Sequence, residues 1–141
     1  MQLTMTTDYA IRCLLYLSQN NGVSTSQKVR EFAQISSDEH TRKILRQLKY
    51  GGLVRSDKGA NGGYALARPL SAISFLDVVR CTEDSVRFNR LSSIDPSEYT
   101  EQQKAVAGFY SATQQMLEEY LGSITIQEIL DGKLPTWGKL N

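Results

Sequence analysis

The chain has 141 residues, the length of one domain with at most an appended dimerisation element. No run approaches the roughly 18 apolar residues that a membrane span requires. The N-terminus lacks the charged start and cleavage site of a signal peptide. The two cysteines, Cys13 and Cys81, form no C-x-x-C motif, so we expect no disulfide framework and a cytoplasmic location. Because no long apolar run is present, we also expect no membrane partner.

The net charge of +1 conceals two segments of opposite sign. Residues 28–68 contain nine Lys or Arg and four Asp or Glu, a local charge of +5. Residues 69–141 contain six basic and ten acidic residues, a local charge of −4. The basic segment favours a polyanionic partner such as DNA, with chance clustering of surface charge as the alternative.

Apolar spacing and capping residues predict two helices near the N-terminus. The first covers about residues 7–20, and its apolar stripe consists of Ala10, Cys13, Leu14 and Leu17. A capping box of Ser24 and Gln27 opens a short second helix. The buried stripe predicted for this second helix consists of Val29, Phe32 and Ala33.

A third helix follows almost at once, capped by Ser36 with Glu39 or by Ser37 with His40. It ends at the glycines of positions 51–52, and its apolar stripe consists of Ile44, Leu45 and Leu48. Two short helices joined by a brief turn form a helix-turn-helix pattern.

The face of this third helix away from the apolar stripe is basic, with His40, Arg42, Lys43, Arg46 and Lys49. Like charges four residues apart, such as Arg42 and Arg46, repel each other in an isolated helix. A polyanion removes that repulsion, so the pattern favours DNA contact over a merely solvated charged face.

Two strands, at residues 53–56 and 64–67, flank the loop DKGANGG. A hairpin after a helix-turn-helix is a wing, and its tip needs the positive φ angles and close backbone approach that glycine allows. Lys58 at the tip can reach phosphates or a minor groove. A nucleotide-binding loop does not fit, because G-x-x-x-x-G-K-[ST] is absent and the glycines precede a strand. A purely structural hairpin remains the alternative.

Capping signals predict the helices of the second half. Ser74 and Asp77 cap a fourth helix, and residues 83–94 form a loop. The motif DPSE at residues 95–98 then opens a long helix of about 26 residues, or roughly 39 Å, that ends at Gly122. A short last helix at 124–130 and a flexible tail at 132–141 complete the chain.

The long helix carries an apolar stripe that a monomer of this size cannot bury alone. Pairing of two such helices across a two-fold axis would cover it. The predicted dimerisation residues are Val106, Phe109, Tyr110, Thr113, Met116, Leu117, Tyr120, Leu121 and Ile124.

No catalytic constellation emerges from the sequence. The single histidine, His40, has no cysteine near it, and no nucleophile motif surrounds the serines. We expect neither enzymatic activity nor a metal site.

Four segments resemble the Rrf-two family of winged-helix regulators, typified by IscR, NsrR and CymR: MQLTMTTDYAIRCLLYL, RKILRQLKYGGLVRSDKGANGGYALARP, ISFLDVV and LEEYLGSITIQEIL. The resemblance covers about residues 1–131. It implies a mainly α (α+β) fold, with a winged helix-turn-helix at 1–82, a connecting loop at 83–94 and a dimerisation segment at 95–131. It also implies a bacterial dimeric transcription factor, usually a repressor, that reads a pseudo-palindromic operator with one winged domain per half-site.

Matched position by position, the base-reading helix would be residues 37–49, and Lys58 would match a wing arginine that enters the minor groove. Arg42 stands where the iron–sulfur biogenesis regulator has a glutamate. Arginine prefers guanine and glutamate prefers cytosine, so the operator should differ. The predicted DNA-binding set is Ser26, Ser37, Glu39, His40, Arg42, Lys43, Arg46, Lys58, Gly59, Asn61, Gly62 and Gly63.

One departure concerns the cofactor. Cluster-bearing members of the family place three cysteines before the long helix, whereas residues 86–103 contain none here. Asp8 matches a cluster-ligating carboxylate of some relatives, but without thiolates it should cap the first helix or pair with Arg12. We therefore expect no iron–sulfur cluster and no other cofactor. An unknown small-molecule or protein effector stays open, as do two alternatives: a protein-interaction regulator without specific DNA binding, and a thiol switch at Cys13 or Cys81.

Overall fold

The computed structural model describes residues 5–83 and 95–134. The predicted loop 83–94 and tail 132–141 lie mostly outside these ranges. The described residues form α1 (Met5–Ser18), α2 (Ser26–Ala33), α3 (Asp38–Tyr50), β1 (Val54–Asp57), β2 (Gly63–Leu66), α4 (Phe75–Thr82), α5 (Glu101–Gly122) and α6 (Ile126–Leu130). Two short 3₁₀ turns lie at Leu70–Ala72 and Pro96–Glu98. No helix within the described ranges is both long enough and apolar enough for a bilayer. This architecture is the winged helix-turn-helix that the sequence predicts.

The core lies where α1, α2 and α3 meet β1 and α4. The predicted stripes of α1 and α3 are buried, and Ile35 from the turn between α2 and α3 joins them. Phe32 was predicted to be buried with Val29 and Ala33, but 42 % of it is exposed. Val29 and Ala33 are one turn apart, and in a helix of eight residues they form the whole face that packs against the core. Phe32 therefore lies at its edge, where its ring packs on Tyr16 with centroids 5.1 Å apart.

The cap of α2 differs from the prediction by one residue. Thr25, and not Ser24, is the N-cap, and its side chain accepts from the Lys28 amide. Ser24 is held instead by the wing: its N–H donates to Tyr64 O, and its carbonyl accepts from Tyr64 N–H, both at 2.8 Å. The predicted caps Ser37 and Ser74 are confirmed, the latter in a capping box with Asp77.

The wing is a two-stranded antiparallel sheet in which Val54 pairs with Leu66 and Asp57 with Gly63. Gly59 at its tip has φ +106°, as expected for a glycine turn. Gly63 has a different role, because a Cβ there would lie 2.5 Å from Ser24 O. Close approach to the Ser24 backbone thus requires glycine at this position.

The long helix begins later than predicted. Asp95 accepts from the Ser97 amide and starts only a 3₁₀ turn, after which Tyr99 is extended, with ψ 135°. Thr100 then caps α5 through a capping box with Gln103. The helix has 22 residues, which corresponds to about 33 Å.

After α5 the chain returns to the start of α4. The Phe75 amide donates to Ile124 O at 3.0 Å, and the Ile126 amide donates to Ile73 O at 2.9 Å. Ile126 is 1 % exposed and belongs to the same core cluster as Leu70 and Ile73. The end of the predicted dimerisation segment therefore completes the core of the winged domain.

Candidate nucleic-acid interface

The outer face of α3 is a row of cations. Arg42, Lys43, Arg46 and Lys49 are exposed, while the opposite side of the helix is held in the core by Thr41, Ile44, Leu45 and Leu48. Within residues 5–83 and 95–134, none of these four cations forms an ion pair. The row is therefore free to contact an anionic partner.

The first turn of α3 holds the remaining predicted residues of this helix. The Ser37 hydroxyl accepts from the His40 amide at 3.0 Å, so its oxygen serves as the helix cap. Glu39 is exposed. His40 is half-buried, and its ring meets the Tyr9 ring of α1 edge-on with centroids 5.7 Å apart. The Tyr9 contact depends on the packing of α1 against α3 and had no signal in the sequence.

The wing follows α3 directly, because the Leu53 amide donates to Leu48 O at the end of the helix. Lys58, Gly59 and Asn61 are exposed at the tip, and Gly62 and Gly63 lie half-buried at the start of β2. Arg55 pairs with Asp57 at 2.8 Å within β1. Ser26 is the first residue of α2 and is half-buried.

Two arginines near the interface are engaged within the chain. Arg30 belongs to the basic segment 28–68, but its guanidinium contacts the turn between α2 and α3 and pairs with Asp38 at 3.1 Å. Arg12 pairs with Asp8 at 2.9 Å, as expected, and also donates to Ala33 O. The sequence gives no sign of these three backbone contacts, since a basic residue in a helix carries no sign of which way its side chain turns.

The predicted dimerisation residues separate into two groups. Leu121 and Ile124 are 8 % and 6 % exposed and pack within the protomer, so they offer little surface to a partner. Thr113, Leu117 and Tyr120 are half-buried. The first half of the stripe is open, with 70 % of Phe109 exposed alongside Val106, Tyr110 and Met116.

The two cysteines differ in exposure, since Cys13 is buried and Cys81 is half-buried. Cys13 is fully buried in α1, and burial raises its pKa to about 12. The pKa of Cys81 is also raised, by burial and by Asp77, against a smaller opposing effect of Arg68. A thiol with a raised pKa carries little thiolate at neutral pH, and thiolate is the form that binds metals and reacts with oxidants. Cys13 therefore lacks the environment of a reactive thiol.

Comparisons with known proteins agree with this architecture. The Rrf2 family model, described as an iron-dependent transcriptional regulator, matches residues 3–132. Protein aau3 of Rhizobium meliloti is 41 % identical over 87 residues, and the HTH-type transcriptional regulator NsrR of Shouchella clausii is 38 % identical over 96 residues. These matches cover 60 % and 64 % of this chain but only 55 % and 64 % of the respective relatives.

A solved structure supports the fold independently. That of CymR, the global cysteine regulator of B. subtilis, matches 94 % of this chain and 98 % of its own, with a TM-score of 0.68 and 20 % identity. At that identity the likeness establishes the winged-helix fold alone.

Proposed function

The chain belongs to the Rrf2 family of transcriptional regulators, which bind DNA and are not enzymes, and we propose that it acts as a homodimeric repressor on a pseudo-palindromic operator. The observation that carries this proposal is the exposed row of cations on the outer face of α3, with the wing following directly in the chain. A helix with an exposed basic face enters the major groove, and an adjacent hairpin follows the backbone or the minor groove.

The proposed contacts differ in what they read. Arg42 in the second turn of α3 reads a guanine edge, with His40 and Lys43 beside it. Lys58 at the wing tip enters the minor groove or binds phosphate. Glu39 can only accept hydrogen bonds, so its proposed contact is a cytosine amino group and not a phosphate. The remaining proposed contacts, which position the domain on the backbone, are Ser26, Ser37, Arg46, Gly59, Asn61, Gly62 and Gly63.

The proposed dimer forms through α5. Val106, Phe109 and Met116 are exposed large apolar residues on one side of α5. Among the described residues, α4 packs against this helix, and burial is confined to its end at Leu121. A second copy would supply the same stripe in return, as a two-fold interface requires. The two α3 helices of such a dimer would read two half-sites.

Selection from a random pool of DNA duplexes tests the function. We expect enrichment of a palindrome whose half-sites lie about one helical turn apart. Binding without enrichment, which simply weakens with salt, would contradict the repressor proposal and favour a protein-interaction regulator.

On the selected palindrome, Arg42→Ala should weaken binding by about 1–3 kcal/mol and relax the preference at one base position. Lys58→Ala should weaken binding on most sequences, with a larger loss where an A-tract narrows the minor groove. Fluorescence anisotropy on single-base variants of the palindrome measures both effects. If the two substitutions changed only the salt dependence, Arg42 would be a phosphate contact.

The family description names iron, but the donor set of this chain does not fit an iron–sulfur cluster. Such a cluster takes about four ligands, mostly thiolates. The whole chain has two cysteines, and residues 86–103, where cluster-bearing relatives place thiolates, have none. Cys13 is sealed in the core, Asp8 is paired with Arg12, and no group of three His, Cys, Asp or Glu converges within the described ranges.

We accordingly expect protein purified without oxygen to be colourless, with no stoichiometric iron or acid-labile sulfide. Operator binding should survive Cys81→Ala, and Cys13→Ala should cost only the stability of a core contact. Absorbance in the visible range with bound iron and sulfide would contradict the first expectation. Reversible loss of operator binding under mild oxidation would instead establish a thiol switch.

A further inference from the structure

The turn between α2 and α3 is short and holds an unfavourable backbone conformation. It spans residues 34–37, and Gln34 has φ +56°, the left-handed region that non-glycine residues rarely adopt. Ile35 then enters the core at 3 % exposure, and its amide donates to Arg30 O at 3.2 Å. A turn of this kind leaves several carbonyls that α2 and α3 themselves cannot satisfy.

Arg30 supplies donors to this turn with all three of its guanidinium nitrogens. Nε donates to Ile35 O and Nη2 to Ser36 O, each at 3.1 Å, while Nη1 binds the Asp38 carboxylate at 3.1 Å. Asp38 is the first residue of α3, so one planar group ties the end of α2 to the turn and to the start of α3.

Arg12 of α1 holds the other side of the turn. Its Nη1 donates to Ala33 O at 3.2 Å, and its Nη2 pairs with Asp8 at 2.9 Å. The carbonyls of residues 33, 35 and 36 thus all accept from guanidinium groups. This arrangement needs arginine, because the single nitrogen of a lysine cannot reproduce the fork of donors in a fixed plane.

From this geometry we infer that Arg30 is a positioning residue that fixes the direction in which α3 leaves the turn. The base-reading residues of the proposed function lie in the first two turns of α3, so the inference rests on that function. Reading of base edges depends on a fixed helix direction, whereas attraction to phosphates depends mainly on charge. Loss of the guanidinium fork should therefore affect specific binding far more than non-specific binding.

The test is Arg30→Lys, which keeps the charge and removes the fork. Its matched control is Arg80→Lys, the same change at an exposed residue of α4 that pairs with Glu118 at 3.8 Å. Affinity is measured for the palindrome selected by the unmodified protein and for a scrambled duplex of equal length, at two salt concentrations. Circular dichroism confirms that each variant is folded.

We expect Arg30→Lys to weaken binding to the palindrome about tenfold or more, with affinity for the scrambled duplex and the salt slope unchanged. Arg80→Lys should change neither affinity. An equal loss on both duplexes would mean that the guanidinium contacts the phosphate backbone directly and does not direct α3. An unchanged palindrome affinity would show that core packing alone directs α3. Either result overturns the inference.

Two further measurements keep the inference testable. If Arg30→Lys does not fold, Asp38→Asn removes the charge that Arg30 binds in the first turn of α3. Because the lost negative charge also favours any DNA, the readout is the ratio of palindrome to scrambled-duplex affinity, which should fall about threefold; an unchanged ratio would count against the inference. If the unmodified protein selects no palindrome, the proposed function fails, but hydrogen exchange still tests whether the Arg30 guanidinium holds the turn between α2 and α3. The Ile35 amide should then exchange faster in Arg30→Lys than in Arg80→Lys. Equal exchange rates would show that Arg30 does not hold the turn.

Discussion

Gly63→Ala is expected to lower the free energy of unfolding by about 3 kcal/mol, because overpacking costs about 1–3 kcal/mol and each lost hydrogen bond about 1 kcal/mol. The added Cβ would lie 2.5 Å from Ser24 O and 2.7 Å from Ser24 C. Both atoms belong to backbone, so no side chain can rotate away. The two Ser24–Tyr64 hydrogen bonds that join the wing to the segment before α2 must lengthen or break.

Urea denaturation at a fixed protein concentration measures this loss, since the stability of a dimer depends on concentration. The matched control is Gly108→Ala in α5, where a Cβ meets no atom within 4 Å. That substitution should raise stability by about 1 kcal/mol through helix propensity alone. An unchanged midpoint for Gly63→Ala would mean that the wing does not depend on its contact with Ser24.

Phe109→Lys should raise the dissociation constant of the proposed dimer at least a hundredfold. Phe109 is 70 % exposed in the protomer, so its replacement leaves the fold of one chain intact. Burial of a phenylalanine contributes about 1.5–3 kcal/mol, and a two-fold interface contains it twice, which gives about 3–6 kcal/mol per dimer. Sedimentation velocity over a range of concentrations measures the change.

Ser111→Lys is the control for this experiment. Ser111 is exposed two residues further along α5, about 200° around the helix axis and away from the stripe. Ser111→Lys should leave both the dissociation constant of the proposed dimer and the affinity for the palindrome unchanged. Phe109→Lys should bind a single half-site as before, but it should no longer bind the full palindrome more tightly than one half-site. If the dissociation constant of Phe109→Lys equals that of the unmodified protein, the dimer interface does not include Phe109.

The sequence predicted the parts of the fold that depend on local pattern. The stripes of α1 and α3, the cap at Ser37 and the glycine turn of the wing each follow from residues close together in the chain, and the structure confirms them. The errors arose where distant contacts decide. Ser24 could cap α2, but its backbone is already paired with Tyr64, forty residues away.

The start of α5 and the role of Arg30 show a second limit, which is the conformation of the local backbone. The motif at residues 95–98 has every feature of a helix start, yet the extended conformation of Tyr99 ends it after a single 3₁₀ turn. Arg30 adds a positive charge in any count of residues, but its guanidinium is engaged by the turn. The sequence gives the charge of a side chain, but the direction in which the side chain points depends on the folded backbone around it.

The place of Ile126 in the core has a consequence for synthesis. The ribosome makes the winged domain first, but the position that Ile126 fills beside Leu70 and Ile73 stays empty until the chain has grown another 44 residues beyond Thr82. At typical elongation rates that takes about 2–9 s. Over that interval the emerging domain exposes part of its core, and α5 is already made when the core closes. The core is therefore completed at almost the same time as the apolar stripe of α5 becomes available to a second chain.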